Sequence, residues 1–233
     1  MREPLAAAQA LADCCRRLHA RGLIAGAEGN CSVRLDDGTL LITASGVDKA
    51  SIGVRHILRR YADGTEYHSL PHTGDPGHAL PSDSTLVASS EMQMHVGLLA
   101  ARPDVRAIVH AHPPVATGFA TAGKVLRDDV LPEVAVVLGP IASVPYGRPG
   151  TMALWNAIQP FAMDHEVFLL ANHGVTVVGR SLEAAMTRME SVEQAARILL
   201  IAELLGGARV LSKDEADVLR HAHRSAARSD ALL

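Results

Sequence analysis

Aromatic side chains are scarce: Phe, Tyr and Trp make up only 3% of the 233 residues. The core must therefore be built from Ala, Leu, Val and Ile, and the apolar share of 48% is enough for a sizeable one. No block of basic residues is present and the formal net charge is −3, so the chain lacks the footprint of a nucleic-acid binder. No apolar run approaches the roughly 18 residues of a membrane span, so no membrane partner is expected. The opening Met1-Arg2-Glu3-Pro4 leads into an Ala-rich helical pattern, not a secretory signal, which predicts a cytoplasmic chain. Cysteine is scarce too. Cys14 and Cys15 are adjacent and cannot easily pair, Cys31 stands alone, and no Cys-x-x-Cys spacing occurs, so all three read as free thiols. Gly-x-Gly-x-x-Gly and Walker loops are absent, as are internal repeats. The length fits one domain over residues 1–233.

What is present alternates between helical and strand periodicity. Apolar residues at helical spacing predict helices over 5–23, 90–101, 115–122 and 151–162, a long one from Ser181 to Leu205, and a last one over 212–227. Ser181 is the expected cap of the long helix. Strands are expected over 31–35 and 39–43 around the turn Asp36-Asp37-Gly38. A second hairpin is expected over 57–61 and 65–68 around Ala62-Asp63-Gly64. Further strands are expected over 105–111, 134–138, 141–144, 166–171 and 175–178. Several of these are hairpin-linked, which predicts an α/β protein with a mixed or antiparallel sheet flanked by helices, not a doubly wound parallel one. Residues 69–85 read as a surface loop rich in Pro, Gly, Ser and His, with His72 and His78 irregularly spaced.

Chemistry concentrates in three short segments. His110 and His112 are two apart at the end of an apolar strand, so both imidazoles face one side and can meet one metal ion. His173 follows a second apolar strand and precedes Gly174. Three neutral imidazoles with a carboxylate nearby suit a divalent metal; zinc leads on ligand type, with manganese or cobalt as alternatives. Glu91, after Ser89 and Ser90, is the candidate carboxylate. Each segment has a plainer reading: His-x-His arises by chance, and Ser-Ser-Glu can simply begin a helix. All three nevertheless fall at element ends beside Gly or Pro, where open sites are usually built.

Together, Gly29-Asn30-x-Ser32-Val33-Arg34, Thr43-Ala44-Ser45-Gly46, Ser89-Ser90-Glu91 with His95, Val109-His110-Ala111-His112 and Asn172-His173-Gly174 resemble the class II aldolase and adducin-head family. The likeness covers about residues 8–205. It implies a three-layer α/β/α sandwich with a central, mainly antiparallel sheet, and a homotetramer. It implies zinc on His110, His112 and His173, with Glu91 a ligand at rest and the acid/base in turnover. Gly29, Asn30, Ser45, Gly46, Ser89 and Ser90 would form a phosphate pocket. The activity implied is a zinc-dependent aldolase that cleaves a small ketose, as its 1-phosphate, to dihydroxyacetone phosphate and an aldehyde. Sister epimerases, dehydratases and decarboxylases use the same metal site, and the adducin branch is a non-enzymatic interaction head without the zinc histidines. Glu28 stands where the family often has a small or hydroxyl residue, and its carboxylate would repel a phosphate unless it points away. Met92 replaces a common aromatic. The family's tyrosine acid has no clear match, and Tyr146 reads as a structural residue at a strand end. If Asn30 only grips phosphate, Asn30→Ala should raise KM more than it lowers kcat.

Overall fold

Successive side chains of a strand face opposite sides of a sheet, and the apolar residues of this chain sort accordingly. The structure, a computed structural model, describes residues 2–60, 67–69 and 86–228. Eight strands form one sheet: β1 (Asn30–Arg34), β2 (Leu40–Thr43), β3 (Ile57–Arg60), β4 (Tyr67–Ser69), β5 (Ala107–Ala111), β6 (Ile141–Val144), β7 (Val167–Leu170) and β8 (Gly174–Gly179). Their order is β4-β3-β2-β1-β5-β8-β7-β6, and every neighbouring pair is antiparallel except β6 with β7.

Cys31, Leu41, Ala107, Val109, Val175 and Val177 point to one face, which is covered by α1 (Arg2–Ala20), α3 (Pro114–Thr121) and α5 (Leu182–Leu204). Leu40, Ile42, Ile108, Phe168 and Val178 point to the other, covered by α2 (Met92–Ala101) and α4 (Met152–Ile158). A sixth helix, α6 (Lys213–Arg228), packs beside residues 134–138. The result is the expected three-layer α/β/α sandwich around a mainly antiparallel sheet. The three cysteines are buried and free, as expected. No described helix is long and apolar enough to cross a membrane.

One element differs in kind. Residues 134–138, read as a strand, form a short π-helix. Val134, Ala135 and Leu138 are buried while Val136 and Val137 are half-buried, which is one-sided helical burial and not alternation. Five apolar residues are too few for periodicity to separate the two states. The β3–β4 pairing, with Arg60 opposite Tyr67, agrees with the expected second hairpin. Its turn and most of the 69–85 loop, including His72 and His78, lie outside the described residues.

The helix after the His-x-His strand is held from across the core. Helix α3 begins at Pro113 with no side-chain cap of its own. The buried Glu193 of α5 fills that role, accepting from the amides of Val115 (3.1 Å) and Ala116 (3.0 Å) while Arg197 donates to it at 3.0 Å. A carboxylate at a helix start both satisfies free amides and meets the positive end of the dipole. Glu193→Ala should therefore lower unfolding stability by about 2 kcal/mol, with Glu193→Gln recovering part of it. Denaturant titration checks this, and an unchanged midpoint for the alanine variant would show that α3 does not depend on this cap.

Candidate metal centre

The site grows out of strand register. Asn30 on β1 lies opposite His110 on β5, and His110 lies opposite Thr176 on β8. These three polar residues, with Ser32 two positions along β1, face the α2 side of the sheet between apolar neighbours. Glu91 stands at the N-terminal end of α2 above them, its amide donating to Ser89 Oγ at 3.3 Å. The β7–β8 hairpin turns through Asn172, the one described non-glycine residue with positive φ (+55°), and delivers His173 to the same place. Glycine is required beside it: a Cβ on Gly174 would lie 2.6 Å from His112 Cδ2 and 2.6 Å from the Ala111 carbonyl oxygen.

His110, His112 and His173 each offer a ring nitrogen, and these lie within 4.8 Å of one another. The Nε2 atoms of His110 and His112 are 3.2 Å apart. Glu91 Oε2 is 3.1 Å from His110 Nε2, and Glu91 Oε1 is 3.1 Å from His173 Nε2. Zinc–nitrogen bonds of about 2.0–2.1 Å in a tetrahedron give ligand–ligand edges of about 3.3–3.4 Å, so these three donor pairs stand close to coordination spacing. His110 Nδ1 donates to the Val175 carbonyl at 3.0 Å, which leaves its Nε2 lone pair aimed inward. Burial pushes the His110 imidazole down to about 3 and lowers that of His112, so both are neutral at pH 7. Burial would raise the Glu91 carboxyl, but His110 and His173, with hydrogen bonds from His173 and Asn30, outweigh it and hold it well below the usual carboxylate range. Glu91 Oε1 is buried and, among the described residues, meets no donor other than His173 Nε2 at 3.1 Å. The donor set thus fits a divalent metal ion.

Glu91 is also held from behind. A carboxylate only accepts, so Asn30 Nδ2 donates to Glu91 Oε2 (2.8 Å) and Asn30 Oδ1 is left as an acceptor. His95 Nε2, 2.6 Å away, must then carry the proton, and His95 Nδ1 accepts from Ser32 Oγ at 2.7 Å. Complete burial pushes His95 down to about 4, which keeps it the neutral tautomer this chain of bonds requires. Sequence reasoning placed Asn30 in the phosphate pocket and gave His95, Ser32 and Thr176 no role. The two-residue spacing of Asn30 and Ser32 on β1 was the available signal.

Of the other residues expected in a phosphate pocket, those at 45–46 and 89–90 are brought together. The segments 43–45 and 87–89 run antiparallel, with Ser45 N donating to Val87 O (2.8 Å), Ser89 N to Thr43 O (3.3 Å), and a bridge between Ala44 and Ala88. Ser45, Gly46 and Ser90 are exposed there, and Ser89 is buried against the Glu91 amide. Gly29 has φ +70° and lies against β5, where a Cβ would be 2.8 Å from the His110 carbonyl oxygen. Glu28 does not point at this group: its Oε2 accepts from Ala25 N (3.3 Å) and lies 3.4 Å from His112 Nδ1. Tyr146 is 60% exposed, in keeping with the lack of a tyrosine match.

This fold and donor set match a known family. Residues 9–200 match the Class II Aldolase and Adducin N-terminal domain, and the chain belongs to that family. It is 32% identical over 185 residues to the 3-oxo-tetronate 4-phosphate decarboxylase of Escherichia coli K12, covering 78% of this chain and 80% of that protein. It is 34% identical over 197 residues to the 5-methylthioribulose-1-phosphate/5-deoxyribulose-1-phosphate aldolase of Rhodospirillum rubrum, covering 83% of this chain and 81% of that protein. The crystal structure of Escherichia coli YgbL, described as an aldolase/epimerase/decarboxylase, superposes with TM-score 0.79 at 28% identity, covering 93% of this chain and 99% of YgbL.

Two outcomes are expected. His110→Ala should weaken metal binding, because it removes the fully buried imidazole whose Nε2 faces both His112 Nε2 and Glu91 Oε2; metal analysis of the purified variant checks it. Asn30→Ala should lower kcat by about 10-fold or more with a smaller change in KM, the reverse of a pure phosphate grip, because its amide is committed to Glu91 and His95. Steady-state kinetics showing a KM effect alone would return Asn30 to the phosphate pocket.

Proposed function

We propose that the chain is a zinc-dependent carbon–carbon lyase whose main reaction is decarboxylation of a small 3-oxo acid phosphate of the tetronate class. His110, His112 and His173 hold the ion and Glu91 is the acid/base. Ketose 1-phosphate cleavage, the first expectation from sequence, becomes the second reading. Decarboxylase relatives support that order, and so does the single inward-facing carboxylate at the cluster.

The two reactions share most of their course. Loss of CO2 from a 3-oxo-tetronate 4-phosphate leaves the bonding pair on the former C2, conjugated with the 3-oxo group as an enediolate. Retro-aldol cleavage of a ketose 1-phosphate leaves the same enediolate and an aldehyde. One proton on carbon then gives dihydroxyacetone phosphate in both cases. When bound, a divalent ion on neutral imidazoles keeps its charge and stabilises the oxyanion as a Lewis acid. Decarboxylation draws one proton from solvent, which Glu91 delivers to carbon. Retro-aldol cleavage first needs a hydroxyl proton removed, so Glu91 would act twice or with a partner, and Tyr146 is exposed. Asn30 and the neutral His95 keep the carboxylate aimed.

Ser45, Gly46, Ser89 and Ser90, with Gly29, are proposed to take the phosphate through hydroxyls and open backbone at the start of α2. The Rhodospirillum relative keeps the aldolase reading alive. Retention of the three histidines with Glu91 argues against an adducin-type interaction head. One domain over residues 1–233, a cytoplasmic location and a homotetramer complete the reading; light scattering at micromolar concentration tests the last.

The deciding experiment offers zinc-loaded protein 3-oxo-tetronate 4-phosphate and, separately, dihydroxyacetone phosphate with short aldehydes. CO2 release from the first is expected. Condensation without CO2 release would put the aldolase reading first, and neither reaction in metal-loaded protein would sink both. Glu91→Gln should retain most of the fold and metal and lose about 10²–10⁴ of turnover; a fully active variant would remove Glu91 from the acid/base role.

A further inference from the structure

The three imidazoles are not held alike. His110 Nδ1 has the Val175 carbonyl at 3.0 Å and Thr176 Oγ1 at 3.0 Å. His173 Nδ1 is buried without a hydrogen-bond partner among the described residues. His112 is the most open, with its side chain 25% exposed, and it lies just past the end of β5. Among the described residues, no backbone carbonyl accepts from its Nδ1. Glu28 Oε2 stands there at 3.4 Å.

Glu28 is placed rather than swung in. The loop that carries it is tied at both ends. Lys49, only 1% exposed, donates its backbone N–H to Gly26 O (2.8 Å) and its Nζ to Ala27 O (2.9 Å) and Val47 O (2.9 Å). Glu28 N donates to Ala25 O (3.0 Å), and Glu28 Oε2 accepts in return from Ala25 N (3.3 Å). On the far side, Gly29 seats against the His110 carbonyl, where no side chain would fit. His112 is pinned in turn, its ring on Gly174 and its amide donating to Leu23 O at 3.1 Å. Two fixed backbones therefore hold carboxylate and imidazole face to face.

We propose that Glu28 is a positioning residue for the metal centre: its carboxylate accepts the Nδ1 proton of His112, turns the Nε2 lone pair toward the ion, and raises its basicity. It acts through His112 and does not touch the ion. Carboxylate–imidazole pairs of this kind tune both ring orientation and donor strength at metal sites. The inference rests on the metal-centre reading above. It also accounts for a carboxylate in a loop otherwise suited to an anion, since Glu28 spends its charge on the imidazole.

The test is metal affinity in the full-length protein, measured without substrate by competition of zinc with a chromophoric chelator. The d–d spectrum of the cobalt(II) form reports ligand geometry alongside. Glu28→Ala should weaken zinc about 10–100-fold, Glu28→Gln by less because its amide oxygen still accepts from Nδ1, and the cobalt spectrum of the alanine variant should shift. Circular dichroism confirms the fold, and the half-exposed loop position makes the glutamine variant a safe second reading should the alanine form be unstable. Affinities within twofold of wild type and an unshifted spectrum would overturn the role of Glu28 alone. Wild-type protein that takes up neither metal would overturn the metal-centre reading beneath it.

Discussion

The site depends on one electrostatic fact: the ring nitrogens of His110 and His173 each stand 3.1 Å from the Glu91 carboxylate, and His112 Nε2 stands 3.2 Å from His110 Nε2. In a low-dielectric interior such an arrangement is unfavourable unless a cation sits among the donors. The surrounding protein is organised to keep the donors there. The Val175 carbonyl fixes His110, Gly174 makes room for His112, the Asn172 turn delivers His173, and the Ser32–His95–Asn30 chain restrains Glu91. The restraints come from several elements, so the centre is a meeting point of β1, β5, the β7–β8 hairpin and the start of α2.

Strand alternation made much of this legible beforehand. The periodicities of 105–111 and 166–178 placed His110, His112 and His173 at strand ends, and the two-residue spacing of His110 and His112 predicted a shared face. The helices and most strands fall where their patterns place them, within a few residues. Residues 134–138 failed because Val, Ala and Leu in a run of five fit either state, and burial from α6 and α5 decided between them. Contacts between elements were the other gap. That Asn30 meets Glu91, 61 positions away, follows from pairing β1 with β5 and docking α2 above them, and no local pattern encodes it. The direction of Glu28 was equally hidden, since it is set by Lys49 and Gly29 holding its loop.

Family membership and reaction sit at different levels of this structure. Relatives named as decarboxylases and relatives named as aldolases match this chain, and both reactions pass through the same stabilised enediolate and need the same proton on carbon. What separates the reactions is the handling of the leaving fragment, which involves the rim of the site more than its centre. The small serines and glycine at 45, 46 and 90 can suit a phosphate end in either chemistry, so the rim opposite them carries the distinction.

The row Asn30–His110–Thr176 across three strands has a consequence for how the sheet assembles. A slip of one residue between β1 and β5 would turn Asn30 and Ser32 away from His95 and bring Cys31 toward it. Such a misaligned sheet could still bury apolar surface, because both faces are greasy. It could not present a complete donor set. An ion bound at this site would reward only the correct alignment, by mass action on the native state, and would so act as a proofreader of strand register before it ever met a substrate.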